Sequence, residues 1–317
     1  MLHQPSPRTR HYGDFYGVGP ARDDESRPLW VVVGNCQAEA LRLVLDGVPD
    51  RPYTTVRMPP VHELEQADVR PLHDLLARAS VLLSQPIRDG YRDLPLGTAE
   101  LAAHLPRTAQ VIRWPVIRYA GLHPFQAIVR RPSDRSVVPP VVPYHDLRTV
   151  VAARNGLSVD DEWDVDVADA GFVAVAEASQ AELARREGLQ CDVAVSDVLG
   201  RSGAEAAHTI NHPGNGVLTE LGRRVLAALD VTATVPTPTR TLLGSVTAPL
   251  ESRVLRARGI AAPSRTDWWF DGTVISPVEV HRSQLRWYGD NPDFVELAIA
   301  RHAHTLDLLG LGTASVR

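Results

Sequence analysis

The sequence predicts an α/β fold, with a Rossmann-like parallel sheet in the N-terminal half and a predominantly α-helical C-terminal half. Three observations carry this reading. The apolar run LWVVVG (29–34) leads at once into the amphipathic stretch QAEALRLVLDG (37–47), which is a strand, a turn and a helix. Short apolar runs and helical periodicities then alternate to about residue 119, and from about residue 145 helical periodicity dominates. Alternation of this kind argues for a parallel sheet covered on both faces.

Taken in order, residues 1–27 are rich in Pro, Arg, Gly and Asp without periodicity, and read as a flexible N-terminal arm. An α/β region over 28–144 follows. In its first helix Ala38, Leu41, Val44 and Leu45 form one apolar stripe that Gly47 ends. YTTVRMPPV (53–61) reads as a strand closed by Pro59 and Pro60, PLHDLLARAS (71–80) as a helix and VLLSQ (81–85) as a strand. GTAELAAHLPRTA (97–109) reads as a helix and QVIRWPVIRY (110–119) as a strand broken at Pro115. The third region, 145–317, is mainly helical: DLRTVVAARNG, GFVAVAEASQAELARREG, GVLTELGRRVLAALD, PLESRVLRARG and PDFVELAIARHAHTLDLLG all carry helical spacing, with TVPTPTRT as a linker.

Composition excludes several chemistries. All 33 basic residues are arginine, so the chain offers no Schiff-base lysine and no Walker-type lysine. Its two cysteines, Cys36 and Cys191, can build neither a disulfide framework nor a four-thiolate zinc site, and no metal is expected. A net charge of −5 gives no sign of nucleic-acid binding. No apolar run is long enough for a membrane span, and no signal-peptide core opens the chain, so a cytoplasmic protein is expected.

Cys36 stands where the first strand meets the first helix, the end of a parallel strand at which ligands bind in open α/β sheets. A helix N-terminus lowers a thiol pKa, and its N–H groups can hold an oxyanion. On this reading Cys36 is a nucleophile, with Asn35 and the Gln37 N–H as oxyanion donors. A small apolar plug at a strand end fits the same position. Cys191, in GLQCDVAVSD, reads as a strand or strand-end residue without such a role. A thiolate needs a base, and of the twelve histidines two stand in fixed His-Pro settings, His123 in GLHP and His212 in NHPGN. Asn211 and Asn215 are positioned in sequence to orient the imidazole of His212.

Taken together, VVVGNCQAEAL, SQPIRDGY, WPVIRYAGLHP, CDVAVSD and TINHPGNGVLTEL, in this order, resemble the WcbI family of polysaccharide-biosynthesis enzymes over about residues 29–230. The resemblance implies acetyltransferases that bind coenzyme A and O-acylate capsular sugars through a cysteine and a histidine. By motif, Cys36 matches the GNC cysteine, His123 the histidine before proline and His212 that of the NHPxN element, the last completing the site from the third region. The expected function is therefore acyl-CoA-dependent transfer to a hydroxyl or amine of a sugar or secondary metabolite. Without lysine, the phosphates of coenzyme A must meet arginines or helix N-termini. Arg88, Arg92 and Arg118, with Gln85 at the next strand end, are the binding candidates.

A looser likeness is to SGNH-type hydrolases, with GNC where those carry GDS, although Thr209 stands where their aspartate precedes the histidine. A cysteine-dependent thioesterase or esterase, and a non-catalytic CoA-binding pathway protein, remain as alternatives.

Overall fold

The computed structural model describes residues 6–18 and 26–312, which form two compact units, each discontinuous in sequence. The first unit takes residues 1–117, 183–198 and 214–243, and the second takes 118–182, 199–213 and 244–317. The expected boundary after residue 144 is thus replaced by five passages of the chain. The long helix Asp169–Gln190 is itself divided between the units.

In the first unit a four-stranded parallel sheet has the order β2-β1-β3-β4, formed by β1 (Leu29–Val33), β2 (Thr54–Thr55), β3 (Ala79–Ser84) and β4 (Gln110–Arg113). Pairing Val33 with Ser84, and Ser84 with Arg113, brings the C-terminal ends of the three longest strands level. The helix Cys36–Asp46 buries Ala38, Leu41, Val44 and Leu45, the stripe read from sequence. The helix Asn215–Ala228 packs on it, with Gly222 against Val44. Val31, Val33, Leu72, Leu76 and Leu82 belong to one buried cluster.

Several boundaries differ from the sequence reading. The strand expected over 53–61 shrinks to Thr54–Thr55. The helix expected from Pro71 begins at Gln66, because Glu65 and Asp68 cap it reciprocally and start it before the proline, which it carries inside. The expected flexible arm is anchored over its described part. Pro7–His11 is helical, Phe15 is buried in the sheet core, and Asp68 accepts hydrogen bonds from Arg8 Nη2 (2.8 Å) and Tyr16 Oη (2.6 Å). Residues 1–5 and 19–25 lie outside the described residues. Cys191 follows the end of a helix, its N–H bonded to Glu187 O, where a strand was expected.

The second unit is mainly helical, as expected of this half of the chain. The helices Leu147–Arg154, Pro277–Asp290 and Asp293–Leu308 enclose a core of Val150, Tyr288, Phe294 and Ala298. Short antiparallel pairings join them, among them the hairpin Ala207–Thr209 with His212–Pro213 and the sheet of Val246–Thr247, Trp268–Phe270 and Thr273–Ile275. Among the described residues no helix is long and apolar enough to cross a membrane.

Candidate active site

In the first unit the sulfur-bearing turn is held by side-chain amides. Cys36 opens its helix, and Asn35 is the N-cap, its Oδ1 accepting the Gln37 N–H at 2.9 Å. Gln85, reached as β3 ends, accepts the Asn35 N–H on Oε1 (2.9 Å) and donates from Nε2 to Gln37 Oε1 (3.2 Å). Gln37 completes the lock. Its Oε1 accepts the Ile117 N–H (3.0 Å) and its Nε2 donates to the Ile117 carbonyl (2.7 Å), so one side chain pairs with a backbone residue as a neighbouring strand would. Both glutamines are buried, at 0% and 2% exposure, so the stability of the turn rests on these bonds being complete.

Gly34 makes the arrangement sterically feasible, because a Cβ there would lie 2.7 Å from Gln85 Oε1. Gly34→Ala is therefore expected to push Gln85 out of its bonds and lower stability by about 1–3 kcal/mol. Denaturant unfolding would measure the change, and an unchanged midpoint would contradict the lock.

These contacts already occupy two residues expected to serve a ligand. Gln85, a candidate for coenzyme A, is buried with its amide engaged inside the protein. The Gln37 N–H, expected as an oxyanion donor, serves Asn35 Oδ1 and also acts on the Cys36 sulfur. The thiol also departs from expectation. Burial pushes Cys36 up to about 11, with Glu63 adding to the rise, while the N–H groups of Cys36 and Gln37 pull it down less strongly. Desolvation thus outweighs the helix N-terminus, and Cys36 is a neutral thiol at pH 7. Cys191 is raised to about 11 as well, by burial first and then by Glu187 and Asp192.

Asn215, also in this unit, holds the linker and not an imidazole. Its Nδ2 donates to the carbonyls of Pro238 and Arg240, and its Oδ1 accepts the Leu242 N–H. Arg88 and Arg92 are exposed on the segment after β3, Arg92 with φ of +57°.

The second unit carries both candidate histidines. The NHPGN segment, expected as a loop, forms the far strand of a tight hairpin in which Thr209 pairs with His212 across Ile210 and Asn211. The Ile210 N–H donates to Gln126 Oε1 (3.0 Å), and its carbonyl accepts the Tyr119 N–H (2.7 Å). Asn211 Oδ1 accepts from Tyr144 Oη at 2.9 Å. The imidazole of His212 is half-buried and meets the Tyr144 ring edge-on at 6.4 Å. Arg118 opens this unit in sequence and is exposed.

His123 is placed differently. Only 4% exposed, it points Nδ1 at the Pro249 carbonyl (3.1 Å) and Nε2 at the Ala207 carbonyl (3.3 Å). Burial, helped by the nearby Arg265 and His208, lowers it to about 4, against the pull of those two carbonyls. It is a neutral ring, able to donate to one of these two carbonyls at a time.

His123 lines a cavity of about 520 Å³ in this unit that sequence reading did not foresee. Arg148 and Arg253 stand in its wall among Asp146, Asp164 and Glu251. The signal was present twice. Asp146 and Glu251 are both helix N-caps, each with an arginine two residues on. Among the described residues no cluster of His, Cys, Asp and Glu is arranged to hold a metal ion.

Comparison with known proteins gives the arrangement a family. The profile described as the polysaccharide biosynthesis enzyme WcbI matches residues 29–234, which include both cysteines, the amide lock and the hairpin. No curated protein matches the chain. A solved structure described as WcbI, a novel polysaccharide biosynthesis enzyme, in native form without a disulfide bond between coenzyme A and one of its cysteines, superposes with a TM-score of 0.74. It shares 20% identity, over 90% of this chain and 99% of that one, and so supports the fold. With about two thirds of its length under the family profile, the chain belongs to the WcbI family of polysaccharide biosynthesis enzymes.

Proposed function

We propose that the chain transfers an acyl group from acyl-coenzyme A to a hydroxyl or amine of a saccharide acceptor. The observation that carries this is the position of Cys36, fixed by the amide lock at a helix N-terminus and at the C-terminal edge of a parallel sheet, within the family-matched segment. The solved relative is described without a disulfide bond between coenzyme A and one of its cysteines, which singles out a cysteine in the role of the cofactor's neighbour. Carried to this chain, the role falls to Cys36.

The protonation of Cys36 favours direct transfer. A thiol raised to about 11 is not a ready nucleophile at pH 7. The acceptor oxygen or nitrogen then attacks the thioester carbonyl while His212 takes its proton. The carbon–sulfur bond breaks, and coenzyme A leaves as its thiol with that proton. Arg88, Arg92 and Arg118, all exposed, are retained as partners for its phosphates.

The test measures acyl transfer and intact mass together. Wild-type protein should bind coenzyme A by calorimetry. His212→Asn should lower kcat by about 10²- to 10⁴-fold. Cys36→Ser should keep kcat within about tenfold, since no covalent step passes through the sulfur. Mild oxidation with coenzyme A should add one cofactor mass to wild type and to Cys191→Ser, and none to Cys36→Ser. With no lysine in the chain, the ε-amine acylation that often confuses such spectra cannot occur. Absence of coenzyme A binding would overturn the reading. An acyl group trapped on Cys36 in His212→Asn would replace direct transfer with a covalent route.

A further inference from the structure

The cavity of the second unit contains charge and hydrogen-bonding capacity that the fold itself leaves unused. Its wall includes three arginines, of which Arg148 and Arg253 are neutralised by Asp146, Asp164 and Glu251. Arg265 is different. Its backbone is fixed by a two-bond bridge to Leu250, and its Nε donates to the Ala248 carbonyl at 2.8 Å. Among the described residues no carboxylate reaches ion-pairing distance of it, and Glu205 acts on it only from farther away. The guanidinium is thus held in place by one nitrogen, with two others to offer.

His281 adds a second unused group. It is 1% exposed, its ring is stacked on Trp163 at 4.3 Å, and Nδ1 meets Thr149 Oγ1 at 2.9 Å. Nε2 is buried without a hydrogen-bond partner among the described residues, although the ring lines the cavity. Whichever tautomer the Thr149 bond selects, Nε2 has one hydrogen bond still to make, as donor or as acceptor. A hydroxyl satisfies either case.

We propose that this cavity binds a saccharide carrying an anionic group, a carboxylate or a phosphate, with Arg265 pairing the anion and His281 Nε2 bonding a hydroxyl. The saccharide class rests on the family reading, while the anion rests on Arg265 alone. About 520 Å³ accommodates a ligand of one or two sugar rings. Much of the wall, from Pro249 to His281, lies beyond the family-matched residues 29–234.

Calorimetry on the full chain tests the proposal with four probes: glucuronate, glucose 6-phosphate, glucose and inorganic phosphate. At least one charged sugar should bind roughly ten- to hundredfold more tightly than glucose, the range expected of a hydrogen-bonded charge. Arg265→Gln should abolish that preference, Arg265→Lys should restore part of it, and the thermal midpoints of both variants establish that they are folded. Equal binding of charged and neutral sugars, or a preference that survives Arg265→Gln, would overturn the anion pairing. Inorganic phosphate binding as tightly as the charged sugars would overturn saccharide recognition. Displacement of glucuronate by coenzyme A would assign the anion to the cofactor and overturn saccharide recognition in this cavity. A failure of the acyl-transfer reading is seen separately, as absent coenzyme A binding, and leaves these sugar titrations intact.

Discussion

Arg148→Met is expected to destabilise the protein by about 3–5 kcal/mol, the cost of breaking a buried ion pair by removing one partner. Arg148 is 7% exposed and holds Asp146 at 2.7 Å, Asp164 at 2.8 Å and Glu251 at 3.1 Å. Its guanidinium also covers the Phe125 ring at 4.1 Å and the Trp163 ring at 4.6 Å. Methionine fills much of the volume but none of the charge. Arg253 would then be left to pair Asp164 and Glu251, Asp146 would lose its ion pair, and one or more of the three would have to take up a proton or water. Asp164 shows what is at stake: burial pushes it up, yet Arg148 and Arg253 together hold it below the usual carboxylate range.

The defect should therefore shrink as pH falls and the stranded carboxylates protonate. Urea unfolding of wild type and Arg148→Met at pH 7 and pH 5 would measure it. A loss under about 1 kcal/mol at pH 7 would show that the network behaves as a surface cluster.

The second large effect is acid lability above the carboxylate range. Four histidines of the second unit are held neutral: His123, His281 and His302 near 4 and His145 near 3, burial being the first cause in each. Nearby cations reinforce it, Arg265 at His123, Arg130 at His145, Arg148 at His281 and Arg301 at His302. The sign follows from linkage. An unfolded histidine takes a proton as pH falls through about 6.5, whereas the folded one does not until about 4, so stability is lost progressively between those values. For His123 alone the shift corresponds to ~3 kcal/mol. Four such groups would remove a large part of the roughly 5–15 kcal/mol typical of a folded domain.

Depressed carboxylates such as Asp68 and Asp192 lose their contribution only below the usual value of 3.8. The window from 6.5 to 4 thus belongs to the histidines. Unfolding free energy should fall steadily from pH 7 to pH 4.5, and His145→Phe should flatten the slope. Stability that stays level to pH 5 would refute the assignment.

What the sequence made legible was whatever depended on neighbours in the chain. The apolar run Leu29–Val33 and the stripe Ala38, Leu41, Val44, Leu45 specify a strand and a helix locally, and the structure has both. The helix Pro277–Asp290 went unread although Ser276 caps it, accepting the Glu279 N–H, with proline at its first position. Its apolar positions are sparse and the capping signal alone marks it.

At the site, the motifs GNC and NHP drew attention to two turns, but the contacts of their neighbours were set by partners far along the chain. The Gln37 N–H reads as a donor beside a sulfur, but that its side chain pairs with Ile117 is not visible from the motif. His123, read as a base, is buried with its nitrogens facing the Pro249 and Ala207 carbonyls, neither of which is visible from its own segment. The thiol pKa was misread because helix position is visible in sequence and burial is not.

The pairing of Gln37 with Ile117 also orders events in time. The two residues are 80 positions apart, and Gln85 lies 50 positions from Asn35. Contacts of such span form late, after the intervening loops have been closed. The first helix can form early, but its sulfur-bearing end stays unfastened until β3 and β4 have docked. In a chain emerging from the ribosome, the lock therefore cannot close until residue 117 has been made and released. A brief pulse of thiol label during refolding would read out the closing of this clamp as its own kinetic phase.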